Sequence, residues 1–544
     1  MLTKLTSNLR GDLFGGLTAA VVALPLALAF GVASGAGAVA GLYGAIAVGF
    51  FAAIFGGTKA QVSGPTGPMT VVMAAVVAQY ADNLPQAFAI VFLGGAFQVV
   101  FGLARVGRFV SYTPYSVVSG FMSGIGIIII VIQTLPFFGL ATASGGPLGS
   151  MRAWPRIAAG LNPEALAIAV ASLAVMVAWP KRLSAIMPPP LAALTLGTLM
   201  SVLFLPGAPV IGEVPAGLPK LILPSFPLAE LPQIVQAALV LALLGSIDSL
   251  LTSLVADSIT RTRHNSDREL ISQGIGNMVA GLIGGLPGAG ATMRTVINVR
   301  AGGRTPLSGA FHAVVLLALL LGLGPLAERV PHAALAGILM KVGWDIIDWS
   351  YLRRIRHAPR EKIVVMLVTL GLTVFVDLIT AVAVGLILAG FVTARWMEKE
   401  ELKGITRISL ANGEADPLAA AERAILSQAE GRIEVVRLRG NFSYASARQL
   451  TQLLGGILQG PRVVVFDFAE AAQVDTSAAY AIDELITDAQ AAGVSCYVSG
   501  LSGPAERTLS GLGILARLAA DNICPDRNTA LERALAELPA AAEG

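Results

Sequence analysis

The sequence predicts a polytopic α-helical membrane protein carrying a compact α/β domain at its C-terminal end. Three observations predict it. The chain is 55% hydrophobic and only 13% charged, where a soluble domain of ordinary composition is about 25% charged. From residue 13 to about 396 the apolar residues fall into a succession of segments separated by short links bearing Gly, Pro and Arg. Past Arg395 the pattern changes to β-branched runs alternating with helical ones, as in an α/β domain.

A spanning helix needs about 20 mostly apolar residues. Clear candidates are 13–34, 39–55, 87–103, 117–135, 165–179, 191–205, 234–256, 271–286, 307–323, 363–379 and 382–394. Shorter apolar stretches at 69–80, 291–299 and 333–346 bring the expected total to about fourteen. The first segment is too long for a secretory signal and lacks its cleavage pattern, so it is expected to stay in the mature protein. With the N-terminus cytoplasmic, alternate links carry Lys4, Arg10, Lys59, Arg105, Arg108, Lys181, Arg182, Arg261, Arg263, Arg268, Arg300, Arg304, Arg353, Arg354, Arg356, Arg360 and Lys362. The opposite links carry only Arg152, Arg156, Lys220 and Arg329. That asymmetry is the positive-inside pattern, and it places both termini in the cytoplasm of a cell whose inner membrane holds the chain.

In the tail, strands are expected at 433–438, 463–468 and 494–498, with helices at 445–454, 477–492, 505–512 and 529–538. The chain therefore divides into a transmembrane domain at 1–397, a linker at 398–430 and an α/β domain at 431–544. A net charge of +3, with no segment pooling the basic residues, is too small to imply a nucleic-acid partner, and none is expected. Cys496 and Cys524 lack metal-ligand spacing, and the four histidines are scattered. No nucleotide loop or nucleophile–base arrangement points to an enzyme.

The informative feature is a matched pair of interruptions. Gly64-Pro65-Thr66-Gly67-Pro68-Met69-Thr70 opens one short apolar segment, and Gly288-Ala289-Gly290-Ala291-Thr292-Met293-Arg294 opens another. Each follows two longer spans, at corresponding positions of two halves. Broken helices placed this way mark the central site of a transporter. A helix that begins inside the membrane has unpaired N–H groups and a positive dipole end, which attract an anion. Thr66 and Thr292 add hydroxyl donors there, so the site predicted for a small anion comprises Thr66, Gly67, Ala291, Thr292 and Arg294. Asp248, central in an apolar span, has Thr252 one turn further on the same face. With the carbonyls near Gly290, these two could hold a sodium ion, or the carboxylate alone a proton. A fixed pair between Asp248 and Arg294 is the alternative. Arg294 could bind an oxyanion through two hydrogen bonds, or extend to the cytoplasmic interface.

Several runs resemble the sulfate permease (SulP) family of anion transporters: 11–19, Gly64–Met69, Ala256-Asp257-Ser258, 265–270, Gln273-Gly274-Ile275-Gly276-Asn277, 288–292 and Gly302-Gly303-Arg304-Thr305. The tail resembles the sulfate-transporter and anti-sigma-factor-antagonist (STAS) domain. Within the family the chain looks most like the cyanobacterial sodium-dependent bicarbonate transporters. The resemblance implies fourteen membrane segments in two inverted repeats of seven, a core and a gate domain with elevator movement between them, and a homodimer. It also implies anion contacts at Thr66, Ala291 and Thr292, and sodium at Asp248, Thr252 and Gly290. One position departs, because those bicarbonate members have no arginine matching Arg294, whereas many animal exchangers do. The expected function is sodium-coupled bicarbonate uptake. Proton-coupled sulfate or C4-dicarboxylate transport, or an uncoupled exchanger or channel, are the alternatives, and a cytoplasmic regulator of the STAS domain is a further expected partner. Asp475-Thr476-Ser477 matches a loop that carries a phosphorylatable serine in anti-sigma-factor antagonists, but these are also plain N-cap residues, and a helix cap is the expected role here.

Overall fold

The computed structural model describes residues 8–110, 114–143, 145–180, 182–183, 187–212, 219–376, 378–408, 418–455 and 461–538. It divides into two units, Met1–Ala389 and Gly390–Gly544. The first is helical. In chain order its longer elements are α1 (Leu9–Ala33), α2 (Ala38–Phe55), the strand β1 (Ser63–Gly64), α3 (Gly67–Gln79), α4 (Leu84–Leu103), α5 (Tyr115–Phe137), α6 (Pro163–Ala178) and α7 (Pro189–Leu203). Then come α8 (Leu231–Thr260), α9 (Ser266–Leu282), β2 (Ala289–Gly290), α10 (Thr292–Arg300), α11 (Pro306–Ala327), α12 (His332–Ile346), α13 (Arg360–Phe375) and α14 (Leu378–Leu402). Six of the described helices are long and apolar enough to cross a membrane, and α3 and α7 are shorter apolar helices. The chain is thus a multi-pass membrane protein.

Several boundaries differ from expectation, the strand Val463–Val474 running past the expected 468 among them, and two in the helical unit have a plain cause. α9 stops at Leu282 rather than 286, because Gly284 adopts a φ of +71° and Pro287 follows, so that 283–284 turn and 285–288 are irregular. α14 runs through the charged Glu398–Lys403 cluster to Leu402, since Met, Glu and Lys are good helix formers and no breaker occurs before Gly404. Asp377 lies outside the described residues.

The helices form two groups. In one, α9 packs on α4 and α2, α11 on α1 and α2, and α8 on α4. In the other, α5 packs on α12 and α13, and α6 on α12 and α7. Glycines bring backbones of the first group into direct contact. A Cβ on Gly41 of α2 would lie 1.8 Å from the Ala27 carbonyl oxygen of α1. Cβ atoms on Gly95 and Gly274 would each lie 2.5 Å from the other's carbonyl oxygen, across α4 and α9.

The second unit is a five-stranded sheet in the order β3 (Ile405–Ile408), β4 (Ile433–Phe442), β5 (Val463–Val474), β6 (Ser495–Ser499), β7 (Ile523–Cys524). β3 is antiparallel to β4 and the remaining pairs are parallel. Strand alternation sends Val464, Phe466 and Phe468 to one face, covered by α16 (Tyr444–Gly455), α17 (Thr476–Ala491) and α18 (Gly503–Gly511). Val463 and Val465 face α15 (Ala420–Gln428) and α19 (Arg527–Glu537). β3 and α15 fall in the stretch expected as linker. At four and nine residues they are too short to announce themselves by periodicity. Asp475 is the N-cap of α17, accepting from Ala478 N at 2.8 Å and from Tyr444 N at 2.7 Å. Both cysteines are free and buried, and burial pushes the Cys496 thiol up to about 12.

Arg527 makes a bidentate pair with Glu422 (2.9 and 3.0 Å) and reaches Asp467 at 3.3 Å, tying α15 and α19 to the sheet. Burial alone would raise the Glu422 carboxyl, but the Arg527 hydrogen bonds, the Ala419 N–H and the guanidinium charge hold it below its ordinary value. A carboxyl lowered in this way stabilises the fold fully above the unfolded-state value of about 4.3, and the contribution drains as pH falls through the folded-state value. Hydrogen exchange of the full-length protein should show α15 and α19 losing protection below about pH 5. Arg527→Ala should remove about 1–3 kcal/mol of that protection at neutral pH and flatten its acid dependence. An identical pH profile in the variant would rule out the pair as its origin.

Candidate functional site

The two interruptions meet. β1 and β2 pair antiparallel, Ser63 opposite Gly290 and Gly64 opposite Ala289. The chains leave this bridge in opposite directions, so the N-terminal ends of α3 and α10 both open towards it. Neither tip has a side-chain cap: Thr66 precedes α3 and Ala291 precedes α10 in extended conformations, and neither side chain bonds to a first-turn N–H. The first-turn N–H groups therefore keep their capacity for a ligand. Gly64 must be glycine. Its φ is +149°, and a Cβ would sit 2.8 Å from the Arg294 guanidinium and 3.2 Å from the Ala45 backbone.

A non-helical backbone inside a helix bundle needs partners for every N–H and C=O, and here they can be traced. Glu269 Oε2 accepts from Gly57 N and Thr58 N, each at 2.9 Å, and its Oε1 accepts from Gln61 Nε2 and Gln273 Nε2. Ala60 O accepts from Asn298, Val62 N donates to Thr295 Oγ1, and Val62 O accepts from Ala291 N. On the other strand, Asn277 satisfies both Gly288 N and Gly288 O, while Ser249 Oγ accepts from Gly290 N. Glu269, Gln61, Gln273, Asn277 and Ser249 were not singled out from the sequence. The available signal was Glu269, Gln273 and Asn277 recurring every fourth residue, which stacks three polar side chains on one face of a buried helix.

The predicted cation residues lie beside the bridge. Thr252 Oγ1 donates to Gly290 O at 2.9 Å and lies 2.7 Å from Thr292 Oγ1. Asp248 is buried and faces Thr66 and Arg294. Neither its Oδ2 nor Thr66 Oγ1 makes a well-formed hydrogen bond among the described residues, although the two groups lie close enough to interact. Arg294 is 3% exposed, so it does not extend to the interface. Its Nη2 donates to Pro65 O at 2.6 Å. The guanidinium thus spans from the α10 tip to the carbonyl just before α3, and the fixed Asp248–Arg294 pair does not form. Gly67 packs against the second helix group, where its Cβ would meet Ile129 Cδ1 at 2.8 Å and Ile346 Cδ1 at 2.9 Å.

Relatives with known names share this architecture. The profile of the sulfate permease family matches residues 9–369, and that of the STAS domain matches residues 424–530. The chain belongs to the sulfate permease family. The bicarbonate transporter BicA of Synechocystis sp. is 45% identical over 505 residues, covering 92% of this chain and 89% of the relative. The solved transmembrane domain of a cyanobacterial bicarbonate transporter BicA covers 69% of this chain and 97% of its own, at 51% identity and a TM-score of 0.65. The murine Solute Carrier 26 family member A9 anion transporter matches 97% of this chain and 92% of its own with a TM-score of 0.79 at 18% identity, a likeness of fold. As a member of a transporter family, the chain is an anion transporter and not an enzyme, and its C-terminal unit is a STAS domain.

Glu269→Gln tests the support network. One of its two acceptor oxygens becomes an NH2 group facing existing N–H donors, whichever way the amide turns. The variant should lose about 2–4 kcal/mol of thermal stability in detergent and most of its transport. Wild-type melting would exclude Glu269 as the anchor of the bridge.

Proposed function

We propose that this chain takes up bicarbonate together with sodium, by an elevator movement of one helix group against the other. The observation that carries the reading is a buried Asp248 oxygen and a Thr66 hydroxyl, neither in a well-formed hydrogen bond, beside two uncapped helix tips joined by a strand bridge. The named substrate of the Synechocystis relative, at 45% identity, supports bicarbonate.

A small anion at the tips would take N–H donors from the first turns of α3 and α10 around Thr66, Gly67, Ala291 and Thr292. Backbone donors suit a singly charged, weakly basic cargo better than a cluster of fixed cations, because release costs less. Carboxylate, hydroxyl and carbonyl oxygens of Asp248, Thr252 and Gly290 form the hard donor set that sodium prefers. Thr252 touches both places, through Gly290 O and through the Thr292 hydroxyl. A cation drawing on Thr252 would therefore orient the Thr292 hydroxyl towards the anion. The glycine-welded group α1–α4 with α8–α11 would be the moving core, and the group containing α5, α12 and α13 the gate. Seven-plus-seven repeat symmetry, a homodimer, residence in the inner membrane with cytoplasmic termini, and a regulator of the STAS domain complete this reading.

One observation favours a second reading, proton-coupled transport of sulfate or a C4-dicarboxylate. Arg294 adds a full positive charge beside the tips, which a divalent anion would exploit. An uncoupled exchanger would need neither Asp248 nor sodium.

Uptake of radiolabelled bicarbonate into proteoliposomes under an imposed sodium gradient tests the proposal. Asp248→Asn should cut sodium-driven accumulation roughly tenfold or more while the protein still elutes as a folded species. Gradient dependence that survives in the variant would falsify the coupling role. Arg294→Gln removes the charge and, being two bonds shorter, also gives up the hydrogen bond to Pro65 O. Bicarbonate uptake should stay within about threefold, while competition by sulfate weakens by about tenfold. Equal loss for both anions would assign Arg294 to architecture alone.

A further inference from the structure

A second site lies away from the bridge. The basic ends of α1, α2 and α11 enclose a cleft of about 1070 Å³. Lys59, Arg268 and Arg304 line it, all three exposed. Arg268 Nε donates to the Phe55 carbonyl, which ties that guanidinium to the end of α2. Asp12 also lines the cleft, but its oxygens already accept from Arg304 N, Thr305 N and Thr305 Oγ1. Three cations therefore stand against one carboxylate whose acceptor capacity is taken. The 22-residue helix α11 begins here, at Pro306 after the Thr305 cap, and turns its positive end to the same space. The remaining wall is apolar, made by Leu13, Phe50, Ile54, Phe311 and Val314. Leu13, Ile54 and Val314 are exposed.

We propose that this cleft binds one anionic diacyl phospholipid, with its phosphate among Lys59, Arg268 and Arg304 and an acyl chain along Phe50, Ile54 and Val314. The charge bias of the links places this end on the cytoplasmic side, where anionic lipids attract basic residues. A free anion would gain only the charged end, and exposed cations alone are strongly screened at physiological salt. An amphiphile gains the charged end and the apolar wall together. The cleft lies on the faces of α1, α2 and α11 that carry exposed leucine, isoleucine and valine, which are open to a bilayer. It thus supplies a place where lipid composition acts on the helices that carry the bridge.

The test uses full-length protein in detergent, titrated with dioleoylphosphatidylglycerol or dioleoylphosphatidylcholine and read by native mass spectrometry. Wild type should hold one phosphatidylglycerol more tightly than phosphatidylcholine. Each basic residue near such a headgroup is worth roughly a fivefold factor, so the Lys59→Ala/Arg304→Ala double variant should bind phosphatidylglycerol about thirtyfold more weakly. Its phosphatidylcholine binding and melting temperature should stay unchanged, since both side chains are exposed. An Arg353→Ala/Arg356→Ala control should bind phosphatidylglycerol like wild type. The proposal falls if the double variant keeps its phosphatidylglycerol affinity, or if the control loses as much. Displacement of the lipid by inorganic phosphate would mean a soluble-anion site. A change from dimer to monomer in the double variant would make the cleft an interface between copies.

Discussion

The bundle depends on one constraint: a backbone that leaves helical geometry among membrane helices has no water to satisfy it. Residues 57–65 and 283–291 do leave it, and their N–H and C=O groups must find partners from neighbouring elements. α9 supplies several of them, and α8 and α10 supply others. Glu269 alone takes four N–H donors, and Asn277 closes both groups of Gly288. Burying an acid and several amides is unfavourable unless each is satisfied. The polar face of α9 is therefore a requirement of the broken helices rather than a site in its own right. It leaves the two tips as the place where donors remain unused.

That separation of roles explains the arrangement of charge. Glu269 is saturated by hydrogen bonds, whereas Asp248, one helix away, retains an oxygen with no well-formed hydrogen bond. Arg294 is the nearby cation, yet it spends its shortest hydrogen bond on Pro65 O rather than on Asp248. An arginine committed in this way braces one tip against the other and lends its field to the site without closing it. Had it paired with Asp248, both the carboxylate and the positive charge would have been lost to any ion.

Much of this was legible in the sequence, and what was not has physical reasons. Apolar runs gave the helices, and Gly and Pro gave the two interruptions, because both signals are local. Asp248 and Thr252 could be placed on one face since they are four residues apart. The individual bonds of Thr252 to Gly290 O and to the Thr292 hydroxyl rest on how α8 packs against β2, which no local pattern announces. The direction of the Arg294 side chain was open for the same reason, because its acceptor belongs to a loop 229 residues away in sequence. Glu269 sat in plain view, but a glutamate in the first turn of a helix is commonplace, and only its buried position shows that it answers a loop. In the STAS domain, β3 and α15 were hidden within a stretch whose composition resembles a linker.

Each helix group is welded within itself, the second by Gly126 against Gly343 and Gly120 against Met366, and the contact between the groups is of another kind. In the first, α1 touches α2 and α4 touches α9 through glycines at backbone distance, with carbonyl oxygens where any side chain would collide. Such contacts tolerate no shear, so the bridge and its supporting acids must travel together or not at all. Where the α3 tip meets the other group, the surface offered by Ile125, Ile129 and Ile346 is aliphatic and makes no directional bond with Gly67. Sliding along that surface exchanges one set of dispersion contacts for another at little cost, whereas deforming the bridge would strand buried polar groups. Two rigid groups meeting across a smooth aliphatic contact would thus let a site built from unpaired backbone donors move intact, as the proposed elevator requires.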